Sequence, residues 1–239
     1  MNEKIKKLKE IIDGTDNLVF FGGAGVSTES GIPDFRSTDG LYSQKYDFPP
    51  ETIVSHTFFM KRNKDFFDFY KDKMMALDAK PNAAHYKLAE WEAQGKCRAV
   101  VTQNIDGLHQ AAGSRNVYEL HGSIHRNYCM RCGKFFDAAY VKNSEGAPKC
   151  DECGGLIKPD VVLYEEGLDE NVISKTIHYI SQADVLIIGG TSLVVYPAAG
   201  LIDYFKGSHL ILINKSATQR DSQADLVIND KIGEVFGQL

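Results

Sequence analysis

The chain has 239 residues, 43% of them hydrophobic and 25% charged, which suffices for one sizeable core or for a large domain with a small insert. Its formal net charge is −5, whereas a dedicated nucleic-acid-binding protein is more often basic. No apolar stretch approaches the length of a membrane span. We therefore expect neither a nucleic-acid partner nor a membrane partner.

The N-terminal segment Glu3–Asp13 shows helical periodicity, with apolar positions on one side and lysines on the other. Such lysines could suit a membrane surface, but a solvated helix face is the favoured interpretation. The segment has no long apolar stretch and so does not resemble a secretory signal. The absence of a targeting segment predicts a cytoplasmic protein.

Apolar runs typical of buried parallel strands recur along the chain, with helical patterns between them. The predicted strands are Asn17–Phe21, Arg98–Thr102, Val185–Gly189, His209–Asn214 and Asp225–Ile228. The predicted helices are Glu3–Asp13, Thr57–Leu77, Asn82–Gln94, Glu170–Ser181, Pro197–Phe205 and Gly233–Gln238. This alternation predicts an α/β fold with a doubly wound, Rossmann-like parallel sheet.

Two regions interrupt the alternation: residues 33–77, rich in Phe and Tyr, and residues 124–159, which contain four of the five cysteines. We expect them to form a smaller helical and zinc-ribbon domain inserted into the Rossmann-like one. The larger domain would then consist of residues 1–32, 78–123 and 160–239. A cleft between two domains is a natural ligand site.

A glycine-rich loop, Gly22-Gly23-Ala24-Gly25, follows the first predicted strand. Glycines there allow the backbone to approach a diphosphate, whose charge is met by amide N–H groups. The usual dinucleotide fingerprint has a third glycine where Thr28 stands and an acidic residue after a second strand. The sequence of residues 38–43 predicts a turn-rich loop instead of a strand. The pattern therefore indicates a dinucleotide but argues against a hydride-transfer dehydrogenase.

Polar residues follow the predicted strand Arg98–Thr102, in the run Gln103-Asn104-Ile105-Asp106. The carboxyl end of a parallel strand is where ligand-contacting groups belong. The amide of Asn104 and the carboxylate of Asp106 suit recognition of a carboxamide such as nicotinamide. Loop capping and Asx turns are the structural alternative.

Among the seven histidines, His121 has the best position for a general base, because it ends a short strand and precedes Gly122. A lone histidine is often structural, so the residues alone leave both interpretations open. His109 is a second candidate for a base, although a histidine at a predicted helix start is more often structural.

The cysteine pairs Cys129-x2-Cys132 and Cys150-x2-Cys153, separated by residues 133–149, have the spacing of a four-thiolate zinc ribbon. A closed four-cysteine site has no open position for substrate, so the zinc would be structural. Two disulfides or a redox pair are the less favoured alternatives. The remaining cysteine, Cys97, is expected to be a small buried residue.

Five motifs occur in the order and spacing of the sirtuins, the NAD-consuming protein lysine deacylases, which this chain resembles from Asn17 to about Gly233. They are the run Gly22–Ser37, the run Thr102–Asp106, the pair His121-Gly122, the two CxxC motifs and the run Gly190–Leu193. The resemblance implies a bacterial-type NAD-dependent protein lysine deacetylase. NAD would be a co-substrate, one Zn²⁺ would be structural, and the partners would be acylated lysine-containing proteins.

The resemblance also implies roles for individual residues, with His121 as the general base and Asn104 as a second catalytic residue. The implied NAD-binding residues are Gly23, Ala24, Gly25, Thr28, Phe35, Arg36, Gln103, Asn104, Ile105, Asp106, Gly190, Thr191, Ser192, Asn214, Lys215 and Ile232. The substrate peptide would pair as an added strand with segments that contain Val161, Leu163, Tyr164, Val194 and Val195.

In the chemistry implied by the family, the acyl oxygen of a modified lysine attacks the nicotinamide ribose and nicotinamide leaves. His121 then helps to deprotonate a ribose hydroxyl, which attacks the resulting imidate. Water releases the free lysine and O-acyl-ADP-ribose. A mono-ADP-ribosyltransferase would use the same NAD site, and a zinc-ribbon module that senses NAD without turnover is the non-enzymatic alternative.

Two departures from the family pattern concern the substrate. Sirtuins that prefer succinyl or malonyl groups resemble one another in a Tyr-x-x-Arg pair, whereas here Lys73 follows Tyr70 at that spacing. Lysine cannot make a planar bidentate contact with a carboxylate, so we expect acetyl to be preferred over succinyl. Alternatively, both residues simply belong to an amphipathic helix. Glu165 replaces a common glycine and would add a carboxylate near the substrate groove.

Overall fold

The computed structural model of the chain describes residues 3–34 and 47–239. Its strands are β1 Leu18–Gly22, β2 Cys97–Thr102, β3 Val117–Glu119, β4 Gly122–Cys129, β5 Phe135–Phe136, β6 Ile157–Val161, β7 Val185–Gly189, β8 His209–Ile213 and β9 Leu226–Ile228. Its α-helices are α1 Glu3–Asp13, α2 Pro50–Ile53, α3 His56–Lys61, α4 Asn63–Phe69, α5 Ala83–Ala93, α6 Leu108–Ala111, α7 Ala138–Asn143, α8 Glu170–Gln182 and α9 Ile232–Phe236. Within these described ranges, no helix is long and apolar enough to span a bilayer.

Six strands form a parallel sheet in the order β3-β2-β1-β7-β8-β9. Strands β2 and β3 follow on one side of β1, and the chain then crosses to the other side of β1, where β7, β8 and β9 are added in turn. The strand order therefore reverses between β1 and β7, and such a switch point opens a crevice at the carboxyl ends of the strands. The predicted doubly wound sheet is confirmed.

Helices cover both faces of this sheet, which explains why its central strands are apolar throughout. On one face, α1, α5 and α9 contribute Leu8, Leu88 and Phe236 to one hydrophobic cluster. On the other face, α8 and the 3₁₀ helix Ala198–Tyr204 pack against the opposite sides of the same strands. Every residue of β1 and β7 is buried, as expected for strands covered on both sides.

A second, antiparallel sheet has the order β5-β4-β6, and Cys129, Cys132, Cys150 and Cys153 lie in its strand β4 and in the segments that connect its strands. Its apolar residues, among them Ile124 and Ile157, share a hydrophobic cluster with Phe59, Phe66 and Phe67 of α3 and α4. The two regions that interrupt the sequence alternation therefore pack together. The exact division of the chain into two domains stays a prediction.

The single helix predicted over Thr57–Leu77 is wrong. The backbone leaves helical geometry at Arg62 (φ −135°, ψ 50°), and Tyr70–Met74 forms a π turn. These breaks let the short helices wrap around one aromatic cluster, which a straight helix would meet on one face only. The segment Pro197–Phe205, for which a helix was predicted, contains a 3₁₀ helix over Ala198–Tyr204.

Candidate active site

A cavity of about 850 Å³ lies at the switch point, where β1, β2, β7 and β8 end. All the described residues for which NAD binding was predicted line it, and Phe35 and Arg36 lie outside the described residues. The lining set is Gly23, Ala24, Gly25, Thr28, Gln103, Asn104, Ile105, Asp106, Gly190, Thr191, Ser192, Asn214, Lys215 and Ile232. The fold thus brings together residues that are far apart in sequence.

Glycines shape one wall of this cavity because two strand ends approach each other closely. The Gly25 amide donates to the Gly190 carbonyl oxygen at 2.8 Å, and a Cβ on Gly25 would lie 2.8 Å from the Gly190 Cα. Gly190 also has φ +60°, a conformation that L side chains rarely adopt. The loop therefore presents bare backbone to the cavity, which suits the diphosphate of a dinucleotide.

The far end of the cavity is formed by Asn214 and Lys215, which follow β8, and by Ile232 at the start of α9. The Gly233 amide, also in the first turn of α9, donates to Glu29 Oε2 at 2.7 Å. This bond joins the start of α9 to the segment after the glycine loop. The two parts of the cavity wall are therefore fixed relative to each other.

Asn104 and Asp106 are connected through Ser27. Ser27 Oγ donates to Asp106 Oδ2 at 2.6 Å and accepts from Asn104 Nδ2 at 3.1 Å. The other Asp106 oxygen accepts from the Leu108 amide at 2.9 Å, which forms an Asx-type turn. Asp106 therefore both caps this turn and lines the cavity. Sequence reasoning did not single out Ser27, since a serine in a glycine-rich loop carries no distinctive spacing.

His121 lies in the cavity wall with Nδ1 2.9 Å from the Gln103 carbonyl oxygen. A carbonyl only accepts, so Nδ1 carries the hydrogen and a neutral ring has its lone pair on Nε2. Burial lowers the pKa of His121 below its ordinary value, and the bond to Gln103 partly opposes this. The ring is therefore neutral near pH 7, as a general base requires.

His109, the other candidate base, lies in the core and not in the cavity wall. Its side chain is 1% exposed, between the rings of Phe20 and His85, whose centroids are 6.1 Å and 4.7 Å away. Among the described residues neither of its ring nitrogens has a hydrogen-bond partner. Burial holds the pKa of His109 well below its ordinary value. The structural interpretation of this histidine is the one that its position supports.

Of the residues predicted to contact the peptide, Val161, Leu163, Tyr164 and Val195 line the cavity. Val194 is outside the lining set and is 44% exposed. Two hydrogen bonds attach Tyr164 to the junction of α2 and α3: the Tyr164 amide donates to the Val54 carbonyl, and the His56 amide donates to the Tyr164 carbonyl.

Glu165 and Glu166 are both engaged beside this segment. Glu165, at φ +76°, accepts from the Thr57 amide at 2.8 Å, and Thr57 holds the pKa of Glu165 below its ordinary value. Glu166 accepts from His56 Nδ1 at 2.8 Å and from Lys158 Nζ at 3.0 Å. Glu165 therefore lines the cavity and also binds the first turn of α3, and its place beside a substrate groove stays a prediction.

Tyr70 and Lys73 have different surroundings. Lys73 and its neighbour Met74 line the cavity, and Lys73 Nζ lies 2.9 Å from Asp72 Oδ2. Tyr70 is fully buried and stacks on Phe66 with a centroid distance of 5.5 Å. Burial raises the pKa of Tyr70. Only the lysine of this pair reaches the cavity wall.

The sulfur atoms of Cys129, Cys132, Cys150 and Cys153 lie within 4.8 Å of one another, and all four are free thiols. Two of the separations are 3.4 Å and 3.7 Å. These values suit the edges of a tetrahedron with Zn–S bonds of about 2.3 Å. None of the four cysteines lines the cavity. A zinc ion bound by these cysteines would therefore stabilise the small sheet and take no part in the chemistry.

Comparison with known proteins agrees with this geometry. The family model described as "Sir2 family" matches residues 23–197. An NAD-dependent protein deacetylase of Clostridium acetobutylicum is 67% identical, over 98% of this chain and 97% of the relative.

Two solved structures cover nearly the whole chain. One, described as "Sir2-p53 peptide-NAD+", has a TM-score of 0.87 and 38% identity, over 100% of this chain and 97% of that one. Another, of a Sir2 variant with deacetylated p53 peptide and 3'-O-acetyl ADP-ribose, has a TM-score of 0.90 and 37% identity, over 98% and 96%. With its cavity at the switch point and its four-cysteine module, this chain belongs to the Sir2 family.

Proposed function

We propose that the cavity catalyses NAD-dependent removal of acetyl groups from protein lysines, with His121 as the general base. Activity as an NAD-dependent protein deacetylase is the function named for the 67% identical relative. The observation that carries the residue assignment is the bond between His121 Nδ1 and the Gln103 carbonyl. Because this bond uses Nδ1–H, Nε2 of the neutral ring is the proton acceptor. His121 lies in the same cavity wall as Asn104 and Asp106.

NAD supplies the ribose carbon from which the acyl oxygen displaces nicotinamide, so that the acyl group ends on ADP-ribose. The bare backbone at Gly23, Gly25 and Gly190 would hold the diphosphate. Asn104 and Asp106, connected by Ser27, would hold the carboxamide and the ribose of the nicotinamide half. His121 would then take the proton of a ribose hydroxyl, which becomes the nucleophile toward the acyl carbon.

The acyl-lysine would enter along the segment Val161–Tyr164, whose residues line the cavity next to His121. An extended peptide there could add a strand to the edge of the small sheet, as in other strand-addition sites. The partner class is therefore acetylated proteins in which the modified lysine lies in an accessible, extended segment. The cytoplasmic location stays a prediction.

Mass spectrometry of one reaction with an acetyl-lysine peptide and NAD tests the proposal. We expect equal amounts of deacetylated peptide, nicotinamide and O-acetyl-ADP-ribose, and no nicotinamide release when the peptide carries unmodified lysine. A peptide that gains ADP-ribose while keeping its acetyl group would indicate a transferase instead. NAD that stays intact in the presence of acetyl peptide would indicate a binding module.

A further inference from the structure

Strand β4 departs from its partner β6 in the middle of the small sheet. Ser123 pairs with Asp160 and Asn127 pairs with Pro159, so residues 124–126 form a bulge. Bulges redirect side chains and often occur next to functional sites. In this bulge lies Arg126, which the mechanism above does not use.

The Arg126 guanidinium bridges the two sheets of the molecule. Its Nη1 donates to Glu119 Oε2 at 2.8 Å, and its Nε donates to Asp160 Oδ2 at 2.7 Å. Glu119 ends β3 in the parallel sheet, whereas Asp160 lies in β6 of the antiparallel sheet. The Glu119 side chain is only 8% exposed, so its carboxylate needs a partner of opposite charge.

The two carboxylates adjoin the two segments that must meet in the reaction. Glu119 precedes His121 by two residues, and Asp160 directly precedes Val161 in the cavity wall. The segments also touch through their backbones, since the Val162 amide donates to the His121 carbonyl at 3.0 Å. Arg126 therefore fixes, from one side, the turn that carries His121 against the strand that would hold the acyl-lysine.

The same bulge contacts the polar loop that follows β2. The Ile124 amide donates to the Ile105 carbonyl at 3.0 Å, and His125 Nε2 lies 3.0 Å from the Asp106 carbonyl oxygen. The bulge thus contacts three segments that line the cavity or adjoin its wall. A change at Arg126 removes its contact with two of them and leaves the contacts to Ile105 and Asp106 in place.

We propose that Arg126 is a positioning residue, which sets the distance between His121 and the acyl-lysine by binding Glu119 and Asp160 together. This inference rests on the proposed function, because it assumes that His121 is the base. His121 acts only after nicotinamide has left. Loss of Arg126 should therefore slow the transfer of the acyl group to the ribose hydroxyl more than it slows the departure of nicotinamide.

Two rates measured on the zinc-loaded enzyme separate these steps. Formation of O-acetyl-ADP-ribose reports the whole reaction, and exchange of labelled nicotinamide into NAD reports the first step alone. For Arg126→Met we expect product formation to fall about 10- to 100-fold, the scale of a misplaced catalytic group, while exchange stays close to the wild-type rate. Arg126→Lys keeps a charge but lacks the fork, so it should recover only part of the loss.

Lys134→Met is the matched control. Lys134 also binds two carboxylates, those of Asp151 and Glu152, at 2.8 Å each, and it lies in the same small module away from His121. Both rates should stay at the wild-type level in this variant. If Arg126→Met does not fold or loses zinc, Arg126→Lys and Glu119→Gln replace it, and the same selective loss is expected.

A parallel fall of both rates in the folded Arg126 variants, or no fall in either, would overturn the positioning role. The His121→Ala variant distinguishes this from failure of the proposed function. If His121→Ala is inactive while Arg126→Met resembles the wild type, only the inference about Arg126 fails. If His121→Ala itself turns over normally, the assignment of the base fails.

Discussion

His121 Nδ1 lies 2.9 Å from the carbonyl oxygen of Gln103, the first residue after β2. The imidazole ring of His121 is therefore oriented by the backbone of the same loop that carries Asn104 and Asp106. The partner is a neutral carbonyl, and its bond raises the pKa of His121 by less than burial lowers it. Burial dominates and lowers the pKa of His121.

Substitution of His121 by alanine should reduce deacetylation about 100-fold or more, the usual scale for loss of a general base. NAD binding, measured by calorimetry, should survive, because the other predicted contacts lie on Gly23, Gly190 and Asn214. The exposed His178→Ala variant is the control and should turn over normally. Near-normal turnover by His121→Ala would show that the base is misassigned.

The acid side of the pH profile should also reflect His121. Its pKa in the folded enzyme is lowered from an ordinary value of about 6.5, so the neutral base persists below that pH. We expect kcat/KM for an acetyl peptide to be flat from neutral pH down to about 6.5 and to fall only at lower pH. A midpoint of the acid limb above pH 7 would contradict the assignment.

Acetyl-lysine should be a better substrate than succinyl-lysine. Lys73 lines the cavity, but its point charge lacks the bidentate geometry of arginine, and Tyr70 is buried away from the cavity. Imperfect pairing of a desolvated carboxylate costs about 1–3 kcal/mol, or roughly 10- to 100-fold in kcat/KM.

Lys73→Arg should raise desuccinylation, whereas Lys64→Arg on the exposed face of α4 should not. The comparison uses the two acyl peptides at equal NAD concentration. A higher efficiency of the wild type for the succinyl peptide would contradict the predicted preference. No gain from Lys73→Arg would indicate that this side chain does not contact the acyl carboxylate.

Removal of zinc should unfold the small sheet and abolish activity. The thiolate–metal bonds contribute folding free energy to a module whose apolar residues share their core with α3 and α4, and β6 of that module adjoins the cavity wall. Metal analysis should find about one zinc per chain, and Cys97→Ala should leave that content unchanged. A zinc-free protein with full activity would refute a structural role.

The buried pair His85–His109 should make the protein less stable in acid. Burial lowers the pKa of His85 to about 4 and holds the pKa of His109 well below its ordinary value, so the unfolded chain binds protons that the folded chain does not. The free energy of unfolding is then highest above about pH 6.5 and falls as the pH drops, by about 1.4 kcal/mol per pH unit for each histidine.

His109→Leu removes one of these groups and fills a similar volume. We expect a shallower loss of stability between pH 7 and pH 5, measured by urea unfolding of the zinc-loaded protein. His178→Ala, on the exposed side of α8, is the control for an unrelated histidine. If His109→Leu loses stability as steeply as the wild type, proton uptake at this site does not drive the acid sensitivity.

Several parts of the fold follow from local chemistry. The apolar runs at β1 and β7 are long enough to specify buried strands, and the side chain of Asn82 caps α5, since it accepts from the Ala84 amide at 2.9 Å. The aromatic region was harder to predict. Its helical periodicity is continuous in the sequence, but the α-helix is interrupted at Arg62 and at the π turn. The interruptions let its aromatic side chains share a hydrophobic cluster with the small sheet.

The sequence by itself determined the doubly wound sheet, the glycine-rich loop after β1 and the four-cysteine module, because each depends on residues that are neighbours or regularly spaced along the chain. Only the tertiary structure decided which polar groups meet. Ser27 donates to Asp106 and Arg126 donates to Asp160 across long stretches of chain, and His109 is enclosed beside His85. Such pairings depend on how the sheets pack, which no local spacing encodes.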